Sequence, residues 1–364
     1  MKAKPLHFSK NNSILLNVIR FVSAELVVLA HIEEYFPSAN LTLLRNAGNF
    51  SVGLFFILSG MLIATSAWNK RIKSADYGFK AFFLDRFSRI YAALVPALAI
   101  VFLTDYLNFK IFDVQLINID LQTLAGNLLM LQEYPLIDHA TYIVNKPWFD
   151  EFRFSFFGSD LPLWTLAIEW WLYLFFGWIA LVKFKLKRKW IFIALLLAVV
   201  PVYQLIIGSR MGPGVTLIWF FGVGMAHLLK QEQKHFMFLK STISIFAFTI
   251  LFGVLYWFDY WFLAVFAFGI ALYGLLCVLQ QKRVETNSSK FQVVINFLAD
   301  YSFTLYLVHY SLLGLLTNFI SFNAVWIDII VLFLIVNIVS ILVAEPFEKK
   351  HKLIRKYLGS RFSA

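Results

Sequence analysis

The sequence predicts an all-α polytopic membrane protein with about ten transmembrane helices and both termini in the cytoplasm. Three observations carry that prediction. First, 60% of the 364 residues are hydrophobic and only 15% are charged. A soluble domain runs nearer a quarter charged, so this chain lacks the polar surface to cover a water-soluble globule. Second, the apolar residues fall into ten runs, each near the length that crosses a bilayer. Third, the basic residues alternate from side to side between those runs. Other classes are excluded on the same composition. Aromatics make up 18%, with 41 Phe and 11 Trp, which is foreign to a disordered chain. A single cysteine, Cys277, can form neither an internal disulfide nor a cysteine metal cluster.

The runs are Ile14–Tyr35, Gly48–Trp68, Ile90–Leu107, Leu161–Val182, Trp190–Ile207, Gly214–Leu229, Ser241–Trp257, Tyr260–Leu279, Leu298–Ile320 and Trp326–Val343. The seventh and eighth make one apolar stretch, divided at Phe258-Asp259 because an undivided helix would overshoot a bilayer about 30 Å thick. The first run is too long and too charged for a signal peptide. With the N-terminus inside, 26 of the 32 Lys and Arg fall on the cytoplasmic side and 5 outside, with Arg20 inside a span. That is the positive-inside pattern, and it accounts for the net charge of +11 without nucleic acid.

Two further segments complete the organisation. Residues 108–160 form a long outside loop, in which Leu121–Leu131 is too short to span and reads as an interfacial or re-entrant helix. The transmembrane domain is expected to occupy 1–348, with 349–364 a basic cytoplasmic tail and no fused soluble domain.

Ionisable groups at membrane depth are costly, and each is a functional candidate. Arg20 and His31 are eleven residues apart, almost three whole turns. They therefore share one helix face, about 16 Å apart along the axis. Glu34, three residues past His31, lies on that face as an orienting partner for the imidazole. The bland alternatives are an arginine snorkelling to headgroups and an interfacial histidine. Glu25 points away and reads as a structural partner for another helix. Glu169 sits among Trp164, Trp170 and Trp171 in LPLWTLAIEWWLYLFF, either as a functional carboxylate or as a helix-packing partner.

Arg86 and Arg89 in LDRFSRIY lie three apart at the cytoplasmic end of the third span, where two guanidinium forks suit a phosphate. Membrane-proximal arginines are also ordinary there. Tyr301, Thr304 and His309 give YSFTLYLVHY its polar handles, for substrate or for interhelical hydrogen bonds. Ser59 lacks the G-x-S-x-G elbow, and Ser59-Gly60 reads instead as a site of close helix approach. No P-loop, dinucleotide fingerprint or metal-ligand spacing is present.

Several blocks resemble the acyltransferase-3 family of membrane O-acyltransferases, in order along nearly the whole chain. LNVIRFVSAELVVLAH, with Arg20-x10-His31, resembles the family's first-helix signature. SVGLFFILSGMLI resembles its second-helix block, LDRFSRIYAALVP its Arg-x-x-Arg block, and LPLWTLAIEWWLYL its tryptophan–threonine–leucine…glutamate block. WFFGVGMAHLL, YSFTLYLVHY and AEPFEKK match later, looser blocks. Asn17 and Gly53 stand where the family often has aspartates, and Glu25 is an extra charge.

The resemblance implies ten core helices and transfer of an acyl group, usually acetyl, from cytoplasmic acyl-coenzyme A to a hydroxyl of a surface or cell-envelope glycan. It places the protein in a bacterial cytoplasmic membrane, with acyl-coenzyme A a co-substrate and no bound cofactor. His31 is then the general base, Arg20 the orienting or charge-offsetting group, and Glu169 a third catalytic candidate. Arg86, Arg89, Tyr301 and His309 bind substrate. Two other readings share the ten helices and buried charges: a transporter or flippase for a glycan or lipid, and a structural subunit of an envelope complex.

Overall fold

The computed structural model describes residues 5–39, 42–132, 134–137, 154–182, 188–206, 214–230, 242–281, 290–322 and 324–361. Among them every long element is an α-helix. In chain order these are α1 (Lys10–Tyr35), α2 (Thr42–Lys73), α3 (Phe79–Phe112), α4 (Leu121–Leu128), α5 (Leu163–Leu181), α6 (Arg188–Ile206) and α7 (Val215–Lys230). There follow α8 (Thr242–Trp257), α9 (Trp261–Gln281), α10 (Lys290–Asp300), α11 (Ser302–Phe319), α12 (Val325–Ala344) and α13 (His351–Arg361).

Each of the ten apolar runs coincides with one of these helices, or, for Leu298–Ile320, with the α10–α11 pair. Seven candidate spans stand alone by length and apolarity: α1, α2, α3, α5, α6, α9 and the segment that begins with α12. The bent pair α10–α11 makes an eighth. The remaining two, α7 and α8, are apolar but only 16 residues long. The protein is therefore a multi-pass membrane protein. Its lipid-facing surfaces are legible in side-chain exposure. On α12, Ile327, Ile330, Leu334, Ile338 and Leu342 are exposed at helical spacing, an apolar stripe that only a bilayer would accept.

The division at Phe258-Asp259 has a local cause. Asp259 takes a left-handed φ of 63°. The Tyr260 N–H then reaches back to the Leu255 carbonyl at 2.8 Å and the Asp259 N–H to Tyr256. This is the Schellman pattern that ends a helix, and it separates α8 from α9.

The described residues group into two compact units. One holds α1 up to Glu33, α2 and α7 to α10. Its tightest seam is α2 against α7. A Cβ added at Gly60 would lie 2.0 Å from the Trp219 carbonyl oxygen, and one at Gly222 would lie 2.2 Å from that of Ile57. The backbones touch there because both positions are glycine. Trp219, fully buried, closes the seam by donating its indole N–H to Ser59 Oγ at 3.2 Å. Ser59 thus serves helix packing.

The second unit holds α3 to α6 and α11 to α13. The loop after α3 contains the expected short helix, α4, capped by Asp120, whose carboxylate accepts from the Thr123 N–H at 2.8 Å and its hydroxyl at 2.7 Å. Those two bonds hold the Asp120 carboxyl below the usual carboxylate range. Buried Asn127 then ties the loop together: its amide donates to the Thr123 and Ser155 carbonyls and accepts from the Phe157 N–H. Trp171 on α5 donates to the Met130 carbonyl at 2.8 Å, and Gln132 to that of Leu163 at 3.1 Å. The loop is therefore fastened to α5, the helix that carries Glu169.

Candidate active site

In the first unit α1 runs unbroken through Arg20 and His31, so the shared face read from their spacing is a face of one continuous helix. Three polar side chains on α1 meet the C-terminal end of α10. Asn17 donates to Asn296 at 2.9 Å, Arg20 Nη2 donates to the Ala299 carbonyl at 2.5 Å, and Glu25 accepts from Tyr301 Oη at 3.3 Å. A guanidinium at a helix C-terminus satisfies an orphan carbonyl and complements the helix dipole. Arg20 therefore has a backbone partner at the end of α10, and Glu25 a side-chain partner just past it.

His31 Nδ1 bonds the Val27 carbonyl one turn back at 3.0 Å. Only a protonated Nδ1 can donate to a carbonyl, so in the neutral ring the lone pair belongs to Nε2. That is the nitrogen able to accept a proton.

In the second unit, Glu34 accepts from Tyr310 Oη at 3.5 Å. Arg86 and Arg89 lie on one face of α3, near its N-terminal end, with the Arg86 guanidinium stacked 5.8 Å from the Phe82 ring centroid. Glu169 accepts from Tyr173 Oη at 2.9 Å, one turn along α5. His309 is fully buried, and its Nδ1 faces the Leu305 and Tyr306 carbonyls at 3.1 and 2.9 Å. It thus adopts the same tautomer as His31.

A family model described as an acyltransferase domain matches residues 14–345. The chain belongs to the acyltransferase-3 family. No curated protein and no solved structure matches it. As an acyltransferase-3 protein it is an acyltransferase that works in a lipid bilayer. The family match includes every candidate residue above and stops short of α13.

The second unit of this acyltransferase also contains a polar group that sequence reasoning missed. Ser159 donates its N–H to Asp105 Oδ2 at 2.8 Å, and its Oγ lies 2.7 Å from both Asp105 Oδ1 and Ser311 Oγ. Gly158 permits this approach. It has φ +57°, and a Cβ there would sit 2.2 Å from the Asp105 carboxylate. Next to it Asp160 is fully buried, with neither carboxyl oxygen hydrogen-bonded among the described residues. Burial, with Asp105 nearby, pushes the Asp160 carboxyl well above the ordinary range. Thr165 Oγ1 on α5 and Tyr306 Oη on α11 share a hydrogen bond at 2.8 Å. The signal available in the sequence was a Gly-Ser-Asp before a predicted helix, which reads as nothing more than a turn.

Proposed function

We propose that this acyltransferase moves an acyl group, acetyl in the first instance, from cytoplasmic acyl-coenzyme A to a hydroxyl of a cell-envelope or surface glycan, in a bacterial cytoplasmic membrane. The observation that carries the reading is His31: a titratable ring on the first-helix face of Arg20, held by the Val27 carbonyl so that Nε2 is the basic nitrogen. A glycan hydroxyl is far too weak an acid to attack unaided. His31 takes its proton as the oxygen adds to the thioester carbonyl. The carbon–sulfur bond then breaks, and the coenzyme A thiolate leaves and takes up a proton. Arg20 orients the donor or offsets negative charge on the thioester oxygen. Glu169 orients a histidine or binds sugar hydroxyls, as do Tyr301 and His309 on the substrate side, and Glu34 steadies the imidazole. Arg86 and Arg89 hold the donor phosphates.

The donor assignment is testable by binding. Arg86→Lys keeps the charge but loses the bidentate fork, so it should weaken acyl-coenzyme A binding more than Lys80→Ala does. Unchanged donor affinity in both Arg86→Ala and Arg89→Ala, measured by calorimetry on purified protein, would remove the assignment.

Ten spans with both termini inside complete the proposal, supported by the charge alternation. Cys277 is buried, so engineered cysteines read out sidedness against a low background. A cysteine at exposed Ile117 should react with an impermeant maleimide in intact cells, and one at exposed Ser74 should not. Labelling at Ser74 would overturn the topology.

A further inference from the structure

Residues 349–364 are expected from sequence to be a basic cytoplasmic tail, and α13 lies beyond the family match. In the structure α13 folds back along α3, the helix that carries Arg86 and Arg89. Two contacts fix its course. Buried Glu348, in the turn before α13, accepts from the Thr304 N–H at 3.1 Å and the Thr304 hydroxyl at 2.7 Å, at the N-terminal end of α11. There a carboxylate also complements the helix dipole. Arg355 Nε then pairs with Asp85 Oδ1 at 2.6 Å, with the two side chains 31% and 11% exposed. Asp85 lies four residues before Arg89 on α3, so this ion pair places α13 beside the face that carries Arg89.

The charges brought together are mostly of one sign. His351, on the face of α13 that carries Arg355, lies near Arg89, Lys352 and Arg86; its burial first, and those cations second, push its pKa below the ordinary histidine range, so the fixed charges here are those of the arginines and Lys352. Among the described residues that these contacts bring together, Asp85 and Glu348 are the acids, against the cations Arg86, Arg89, Lys352 and Arg355. Like charges held together by tertiary structure are destabilising unless an anion joins them. The anion chemistry that matches arginine forks together with a lysine ammonium is phosphate.

We propose that α13 is the second wall of the donor-phosphate site. His351 and Lys352 join Arg86 and Arg89 around the phosphates of coenzyme A, and the Asp85–Arg355 pair holds the wall in place. This rests on the reading of Arg86 and Arg89 as donor ligands. An anionic lipid headgroup carries the same phosphate chemistry, so the test separates the two sources.

Coenzyme A is titrated calorimetrically into the full-length protein, in a neutral detergent, with and without added phosphatidylglycerol. Asp85→Asn makes the site more positive, so bare electrostatics would tighten coenzyme A binding. Loss of the pin should instead weaken it, about threefold or more. Lys352→Gln, at an exposed position, should weaken it by a similar factor. Phosphatidylglycerol should leave the wild-type affinity unchanged. The proposal is overturned if both variants bind coenzyme A at wild-type affinity or tighter while Arg86→Ala binds it poorly. It is also overturned if phosphatidylglycerol displaces coenzyme A and the variants alter only lipid association. If Arg86→Ala too binds coenzyme A normally, the donor-site reading itself has failed.

Discussion

Replacing His31 by Gln should leave a folded protein of near-normal abundance that still binds acyl-coenzyme A and does not acylate its acceptor. Glutamine keeps the size and a donor for the Val27 carbonyl, which His31 Nδ1 bonds at 3.0 Å. It cannot accept the acceptor hydroxyl's proton. Loss of a general base typically costs about 10²–10⁴-fold, so rates must be compared at equal protein level. A variant retaining more than about a tenth of the normal rate would return His31 to an interfacial histidine. Glu34→Gln is the companion: a moderate loss supports an orienting role, and no loss makes the shared helix face incidental.

The second large effect is structural. Gly60→Ala and Gly222→Ala should each destabilise the α2–α7 seam severely, by about 3 kcal/mol or more. The added methyl meets backbone carbonyl oxygens at 2.0 and 2.2 Å, and backbone cannot swing aside as a flexible side chain can. The helices must part, which also breaks the Trp219–Ser59 hydrogen bond. Gly224, on α7 as well, is the internal control, since an added Cβ there meets nothing within 4 Å. Gly224→Ala should be neutral or stabilise by about 0.5–1 kcal/mol. Thermal unfolding in detergent distinguishes them, and equal melting temperatures for all three variants would refute the seam.

The contrast between these positions shows what a sequence can carry. Apolar runs state their own lengths, so the helices were legible, as was the break at Phe258-Asp259, because bilayer thickness forbids the undivided helix. Ser59-Gly60 was legible as a packing site because small residues in a span have few other uses. What was hidden depends on partners distant in sequence. The Arg20 partner is the Ala299 carbonyl, and every residue has a carbonyl, so no pattern announces it. The loop-tying role of Asn127 depends on Ser155 and Phe157, some thirty positions away along the chain. Asp160 looks like a turn residue until the fold buries it. The third helix shows a subtler limit. Its apolar core reads as Ile90–Leu107, yet α3 extends from Phe79 to Phe112. The polar ends are helix-compatible, and hydropathy marks only the part in lipid. Residues 349–364 read as a basic cytoplasmic tail because basic residues commonly follow a last span; Asp85, the partner of Arg355, lies 270 residues away.

The central claim is chemical and has a direct measurement. Purified protein in detergent, with no sealed membrane to transport across, is given acetyl-coenzyme A labelled in the acetyl group together with glycan from the cell envelope. The account predicts label on the glycan, release of free coenzyme A in equal amount, and loss of both in His31→Gln. No transfer by protein that binds acetyl-coenzyme A normally, with glycan movement appearing only once the protein is sealed into vesicles, would contradict it.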